Sequence, residues 1–133
     1  FLNRNLFVTL HITEPVYQRC PDGYFYGASG MEMPVHDLSR VGMLLAHNGV
    51  YKNERILSEK YVKMATGVRQ MNREGGYGYF IWKYRDGFRI SGKWGQRCYV
   101  LPERGLIISH LSHMEADSHK LTESMERHLL GIG

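Results

Sequence analysis

The clearest helical pattern lies between Pro34 and Gly49. Apolar residues recur there every three or four positions, at Leu38, Val41, Leu44 and Leu45. Pro34 suits the first turn of a helix, and Asn48-Gly49 supplies a C-terminal stop. These features predict an amphipathic helix that buries one face.

Three other segments carry helical signals. Ser58 is a natural N-cap for a second helix, which Gly67 closes. Residues 121–130 have apolar positions at helical spacing, so they predict a last helix that can lie on one face of a sheet. Residues 1–10 have a similar spacing and run into Pro15, which is typical of the tail of a helix that begins upstream.

The apolar period changes to that of strands after residue 76. Residues 77–82 are rich in aromatic side chains, Arg85-Asp86-Gly87 is typical of a hairpin turn, and residues 87–90 return as a strand. Residues 98–101 and 106–111 predict a further pair of strands, whereas the polar residues 69–76 predict a mobile loop. The fold class is therefore α+β, with an antiparallel sheet of three to four strands flanked by helices.

Composition narrows the possible functions. A chain of 133 residues with 43% hydrophobic and 23% charged residues is ordinary for one soluble domain, and no apolar run approaches the ~20 residues of a membrane span. The net charge of +4 is spread along the chain, which argues against a nucleic-acid partner. Cys20 and Cys98 match no metal or redox spacing, so we expect two free thiols, which leave the compartment undecided.

The segment Lys93-Trp94-Gly95-Gln96 is the strongest candidate for chemistry. It lies between two predicted strands, and a lysine with glycines at the start of a strand can expose backbone donors beside a positive charge. The alternative interpretation of the same residues is a simple strand start with an exposed lysine and a half-buried tryptophan.

A succession of short phrases resembles the C-terminal part of the serine β-lactamase-like and penicillin-binding-protein-like hydrolases, in their class C and esterase branch. The phrases, in chain order, are Cys20-Pro21-Asp22-Gly23-Tyr24, Gly27-Ala28-Ser29-Gly30-Met31, Pro34-Val35-His36-Asp37-Leu38-Ser39-Arg40-Val41-Gly42, Asn48-Gly49-Val50-Tyr51, Arg55-Ile56-Leu57-Ser58, Gly76-Tyr77-Gly78-Tyr79-Phe80-Ile81-Trp82 and residues 92–102. Each phrase alone is weak, but their order and spacing together indicate this family. The resemblance implies a single, incomplete domain over residues 1–133, from the C-terminal part of a β-lactamase/transpeptidase-like fold.

That family uses three catalytic motifs, of which Lys93-Trp94-Gly95 resembles the third. The resemblance implies that Lys93 supplies positive potential and that the backbone N–H of Gln96 is the second oxyanion donor. Gly95 would let substrate lie against the strand, and Trp94, in place of a small hydroxyl residue, favours the esterase or amidase branch over penicillin-like substrates. No serine in the chain is followed three residues later by lysine, so the nucleophile motif is absent. Tyr51-Lys52-Asn53 spells the second motif, but it lies in a predicted turn, so we interpret it as coincidence.

Two other groups of residues admit both a functional and a structural interpretation. The loop His110-x-x-His113-x-Glu115-x-Asp117-x-His119 could hold a metal ion, but its spacing fits no established signature, and a solvated connection is the preferred interpretation. An aromatic set could line a substrate cleft, although packing within the sheet is the commoner role. Its members are Tyr77, Tyr79, Phe80, Trp82, Tyr84 and Phe88.

These observations define a main hypothesis and two alternatives. The main one is a C-terminal fragment of a serine acyl hydrolase, inactive by itself, whose intact protein acts on an ester, amide or lactam without a metal or cofactor. The resemblance implies a bacterial protein of a family that is often exported to the cell envelope. The alternatives are a noncatalytic module that associates with another chain through an exposed sheet edge, and a metal-binding domain that uses residues 110–119.

Overall fold

A computed structural model describes residues 2–13, 15–27, 29–114 and 118–131. These residues contain three α-helices, namely α1 (Val35–Ala46), α2 (Glu59–Thr66) and α3 (Ser118–Leu129). The strands are β1 (Val16–Tyr17), β2 (Met31–Glu32), β3 (Val50–Tyr51), β4 (Glu54–Arg55), β5 (Gln70–Asn72), β6 (Gly75–Tyr77), β7 (Trp82–Tyr84), β8 (Gly87–Ser91), β9 (Arg97–Leu101) and β10 (Leu106–His110). A short helical segment, Asn3–Phe7, precedes them. Within this part of the chain, no helix is both long and apolar enough to cross a membrane.

One antiparallel sheet of six strands, in the order β10-β9-β8-β7-β6-β5, forms the centre of the fold. Each strand pairs with the next one along the chain, so the sheet is a meander. Two small hairpins, β1-β2 and β3-β4, lie outside it. The predicted α+β class with an antiparallel sheet is confirmed, although the sheet has six strands instead of three to four.

The two extra strands lie within residues 70–77, and the prediction of a mobile loop over residues 69–76 is wrong. They form the β5-β6 hairpin, in which Asn72 pairs with Gly75 across a two-residue turn. The Asn72 side chain accepts a hydrogen bond from the Glu74 N–H at 3.0 Å, and Gly75 has a positive φ of 117° that favours glycine. All three β5 residues are exposed. The strand therefore lacks the alternation of apolar and polar residues from which a strand can be predicted.

Helices α1 and α2 cover one face of the sheet. Their apolar residues join the inward side chains of the strands in one cluster, whose buried members are Leu45, Val62, Ala65, Ile81, Phe88, Cys98 and Val100. Close approach at the centre depends on Gly42 of α1, because a Cβ atom there would lie 2.7 Å from the Cys98 Sγ. The predicted Ser58 cap of α2 is confirmed, since its hydroxyl accepts the Tyr61 N–H at 3.2 Å.

Helix α3 covers the opposite face of the sheet. Met125 packs there against Tyr84, Tyr99 and Leu101, and Glu126 accepts hydrogen bonds from Tyr84 and Arg85 at the end of β7. Desolvation, together with the Glu126 hydrogen bond, raises the pKa of Tyr84 to about 12. The sheet is therefore enclosed between two helical layers along β8 and β9.

The N-terminal segment packs on the outer side of α1 through Phe7, Leu10 and Ile12. A fully buried carboxylate fixes this contact, because Asp37 accepts the Arg40 guanidinium at 2.5 Å and the Thr13 N–H at 3.3 Å. Arg40 in turn donates to the His11 carbonyl at 2.6 Å. The predicted helix end before Pro15 is confirmed, because the helical segment Asn3–Phe7 has its C-cap at Val8.

Candidate functional site

The Lys93-Trp94-Gly95 segment forms a tight 3-10 turn between β8 and β9. The turn is closed at its base by the Gly92 N–H, which donates to the Gln96 carbonyl at 2.9 Å. Trp94 adopts left-handed backbone angles with φ 60° and ψ 24°, and Gly95 follows with φ 88°. The predicted position of this segment between two strands is confirmed, but its residues form a turn and do not start a strand, because β9 begins at Arg97.

A left-handed tryptophan needs compensation, since this conformation costs a non-glycine residue about 1–2 kcal/mol. The segment that follows β10 supplies it. The Trp94 carbonyl accepts two hydrogen bonds, from the Met114 N–H at 2.9 Å and from the Ser112 hydroxyl at 2.9 Å. The Gln96 side-chain amide donates to the Ser112 carbonyl at 3.1 Å, so residues 112–114 hold both ends of the turn.

The side chains of the turn make a cationic and aromatic surface. The Lys93 ammonium lies 4.7 Å from the centre of the Trp94 ring, within the range of a cation–π contact. The His113 ring packs on the same indole with centroids 4.3 Å apart and planes inclined by 30°. Trp94 keeps 40% of its surface exposed, whereas Gly95 is buried. The surface therefore presents one ammonium group beside an accessible indole.

Arg97 holds the base of the turn from the β9 side. Its guanidinium Nη1 donates to the Gly92 carbonyl at 2.8 Å and to the Gln96 carbonyl at 2.9 Å. Two cationic side chains, Lys93 and Arg97, thus lie at this end of the β8-β9 hairpin together with Gln96. Hydrogen bonds hold the backbone of the turn in place. The sequence analysis missed Arg97 and Ser112, because their contacts depend on the pairing of β8, β9 and β10 and have no signature in local sequence.

The other sequence candidates are dispersed. His113 packs on Trp94, His110 lies within the sheet, and His119 lies on α3, while Glu115 and Asp117 fall outside the described residues. Among the described residues, no three His, Cys, Asp or Glu side chains are grouped so that they could hold a metal ion. Cys20 and Cys98 are both free.

Tyr51-Lys52-Asn53 lies in the β3-β4 hairpin. Tyr51 pairs with Glu54 in the β3-β4 hairpin, and the two turn residues Lys52 and Asn53 have positive φ values of 47° and 68°. Two consecutive left-handed residues are what a tight two-residue hairpin requires. The turn predicted for this segment is therefore confirmed.

The aromatic set is divided between core and surface. Tyr84 and Phe88 are buried, and Tyr77 packs on Trp82 with ring centroids 4.5 Å apart. Phe80 is 71% exposed, and with Tyr79 it lines a shallow cleft of about 320 Å³ beside Arg69. Packing within the sheet therefore accounts for most of the set, as expected, but not for Phe80.

The sequence matches no protein-family model and no curated protein. By its structure, the chain has the fold of the C-terminal part of a β-lactamase-like hydrolase. A solved structure of this fold, from Bacillus anthracis, is named as a 6-aminohexanoate-dimer hydrolase; it superposes with a TM-score of 0.78 at 21% sequence identity. The superposition covers 98% of this chain and 38% of the other. At this identity the likeness establishes the fold, and the chain spans well under half of its structural neighbour.

Proposed function

We propose that these 133 residues form one wall of the active site of a serine acyl hydrolase. The observation that carries the proposal is the Lys93–Gln96 turn, a braced backbone with an adjacent ammonium group, in a fold shared with a named hydrolase. The nucleophile and its general base would come from residues outside this chain, because no Ser-x-x-Lys occurs in it. The chain by itself would therefore be inactive.

The role proposed for the turn follows from acyl-transfer chemistry. Attack of a serine on an ester or amide carbonyl places negative charge on the carbonyl oxygen, which backbone N–H groups and a nearby cation stabilise. The Gln96 N–H would donate to this oxygen, while Lys93 would supply positive potential. Trp94 and Gly95 would border the substrate. The half-exposed indole suits an apolar acyl or alkyl group, so esters and amides are favoured over β-lactams.

The test uses the complete protein encoded by the reading frame that contains these residues. Lys93→Ala is expected to lower kcat/KM for a chromogenic ester by about 100-fold, the usual cost of losing one group that stabilises the oxyanion. Lys52→Ala is the matched control, because Lys52 lies in the β3-β4 hairpin turn of the coincidental Tyr-Lys-Asn phrase and should leave kcat/KM unchanged. Equal activity of Lys93→Ala and the wild type would reject the role of the turn. Serine-dependent hydrolysis of the ester or of nitrocefin by the 133-residue chain alone would reject the fragment proposal.

A second candidate function is association with another chain through the sheet edge. Strand β10 ends the sheet, with no neighbour on its outer side among the described residues, and all five of its residues are half-buried. An apolar strand with a free edge pairs readily with a strand of another chain.

A further inference from the structure

A second cleft lies on the α3 face of the sheet, apart from the surface formed by Lys93 and Trp94. It measures about 350 Å³ and is lined by Arg89, Arg97, His119, Thr122 and Glu123. Arg89 and Arg97 come from the neighbouring strands β8 and β9, whereas the other three residues come from the first turns of α3. The cleft is therefore walled by the sheet on one side and by a helix on the other.

Strand alternation directs the two arginines into this cleft. Phe88, Ile90 and Cys98 pack on the α1 side of the sheet. Since successive side chains of a strand point to opposite faces, Arg89 and Arg97 belong to the α3 side. Two guanidinium groups on adjacent strands of one face create a local concentration of positive charge.

The Arg89 guanidinium has N–H groups that lack a strong acceptor in the described part of the chain. Its Nε is buried and has no hydrogen-bond partner within the described residues. Its nearest carboxylate is Glu74, at 3.9 Å on a side chain that is 69% exposed, so this ion pair contributes little. The guanidinium lies 5.6 Å from the centre of the Trp82 ring, which fixes its orientation without satisfying its N–H groups.

Next to Arg89, a row of residues that pair across three strands also contains polar atoms without a hydrogen-bond partner among the described residues. Ser91, Arg97 and His110 are direct partners across β8, β9 and β10. The Ser91 hydroxyl and both His110 ring nitrogens are buried and have no hydrogen-bond partner in the described structure. Buried polar atoms are normally paired, so the Arg89 Nε–H, the Ser91 hydroxyl and the one N–H of a neutral His110 ring are donors to which an acceptor could bind.

We propose that this cleft binds a small oxyanion, a phosphate or carboxylate group, between the guanidinium groups of Arg89 and Arg97. The planar guanidinium is suited to such groups, because it donates two parallel hydrogen bonds to two oxygens. Arg97 keeps one nitrogen engaged with the Gly92 and Gln96 carbonyls, so its remaining N–H groups face a ligand from a fixed position. Exposed Glu123 adds one negative charge to the rim and weakens binding of the anion.

The experiment titrates the complete protein that contains these 133 residues with sodium phosphate in a calorimeter, against sodium chloride at equal ionic strength. Saturable binding in the millimolar range or tighter is expected, since charge-assisted hydrogen bonds are stronger than neutral ones. Sodium acetate is titrated in parallel. Binding of either anion supports the oxyanion site, and the tighter of the two identifies its class.

Three variants locate the site. Arg89→Gln is expected to weaken binding about tenfold, and Glu123→Gln to tighten it about threefold by removing a like charge. Arg104→Gln is the matched control, because Arg104 pairs with Asp86 at the far hairpin and should bind like the wild type. If circular dichroism shows that Arg89→Gln is unfolded, Arg89→Lys replaces it and should still weaken binding severalfold through loss of the planar donor pair.

The proposal is overturned if phosphate and acetate behave like chloride, or if the folded Arg89 variant binds as tightly as the Arg104 variant. Failure of Glu123→Gln to tighten binding would also reject it. The measurement involves no hydrolysis, so its outcome is independent of the serine hydrolase proposal.

Discussion

The pKa of His110 depends on its burial and on a neighbouring charge. Both of its ring nitrogens are buried, and its cross-strand partner is Arg97. Burial, and next the Arg97 charge, lower the pKa of His110, because both disfavour the imidazolium form. The neutral ring is therefore the form that the folded protein prefers.

A dependence of stability on pH follows from this lowered pKa. Below the unfolded-state pKa of about 6.5, the unfolded chain binds a proton that the folded protein resists, so the free energy of unfolding should decrease as the pH falls from about 7.5 toward 5. Urea unfolding across this range measures the effect. His110→Gln should show a flatter decrease than the wild type, whereas His128→Gln, on the exposed side of α3, should not. Parallel curves for the wild type and His110→Gln would contradict the prediction.

Between elements, the approach of α1 to the sheet depends on one small residue. Gly42 is buried against β9, where a Cβ atom would lie 2.7 Å from Cys98 Sγ and 3.3 Å from Val100 Cγ2. Cys98 is fully buried, so it has little room to move. Burial also raises the pKa of this thiol, which keeps it protonated and suited to an apolar contact.

Gly42→Ala is accordingly expected to destabilise the fold by about 1–2 kcal/mol, because overpacking costs more than the gain of about 1 kcal/mol in helix propensity. Urea unfolding measures the change. Cys98→Ala in the same chain should relieve the contact, so the double variant should lose less stability than the two single variants summed. Cys20→Ala, remote from this contact, should show no such coupling, and additive losses for Gly42→Ala and Cys98→Ala would refute the steric explanation.

At the scale of the whole molecule, the two edges of the sheet differ in length and in exposure to solvent. The opposite terminal strand, β5, is short and exposed, whereas β10 has five half-buried residues. Polar or short edges resist pairing with other chains, and longer apolar ones favour it. The two edges of the same sheet thus differ in their tendency to associate.

Self-association through β10 is therefore expected for the isolated 133-residue chain. Light scattering should show a mass that increases with protein concentration. Amide hydrogen exchange should become slower in β10 as the concentration rises, while β5 serves as the internal control and stays unchanged. A monodisperse monomer with concentration-independent exchange in β10 would exclude this mode of association.

The sequence determined the elements that bury an apolar stripe or begin with a cap. Helices α1, α2 and α3 follow from the period of their apolar residues, and strands β8 to β10 follow from short apolar runs bounded by turn residues. The Lys93–Gln96 segment is recognisable as a candidate site because lysine and glycine residues lie between two apolar strands, but its turn conformation was not predicted. The turn predicted at Lys52-Asn53 is confirmed by the β3-β4 hairpin.

Only the tertiary structure decided what these residues contact. The left-handed backbone of Trp94 is held by hydrogen bonds from Ser112 and Met114, about 20 residues away, which no local pattern encodes. The exposed strand β5 forms because β6 offers it hydrogen-bonding partners, although its own residues lack the alternation of a strand. The Arg89 and Arg97 cleft likewise depends on register, since a shift of one residue would turn both side chains to the other face. Hydrogen bonds between residues far apart in the sequence therefore determine where these side chains lie. The period of apolar residues carries no information about such pairing.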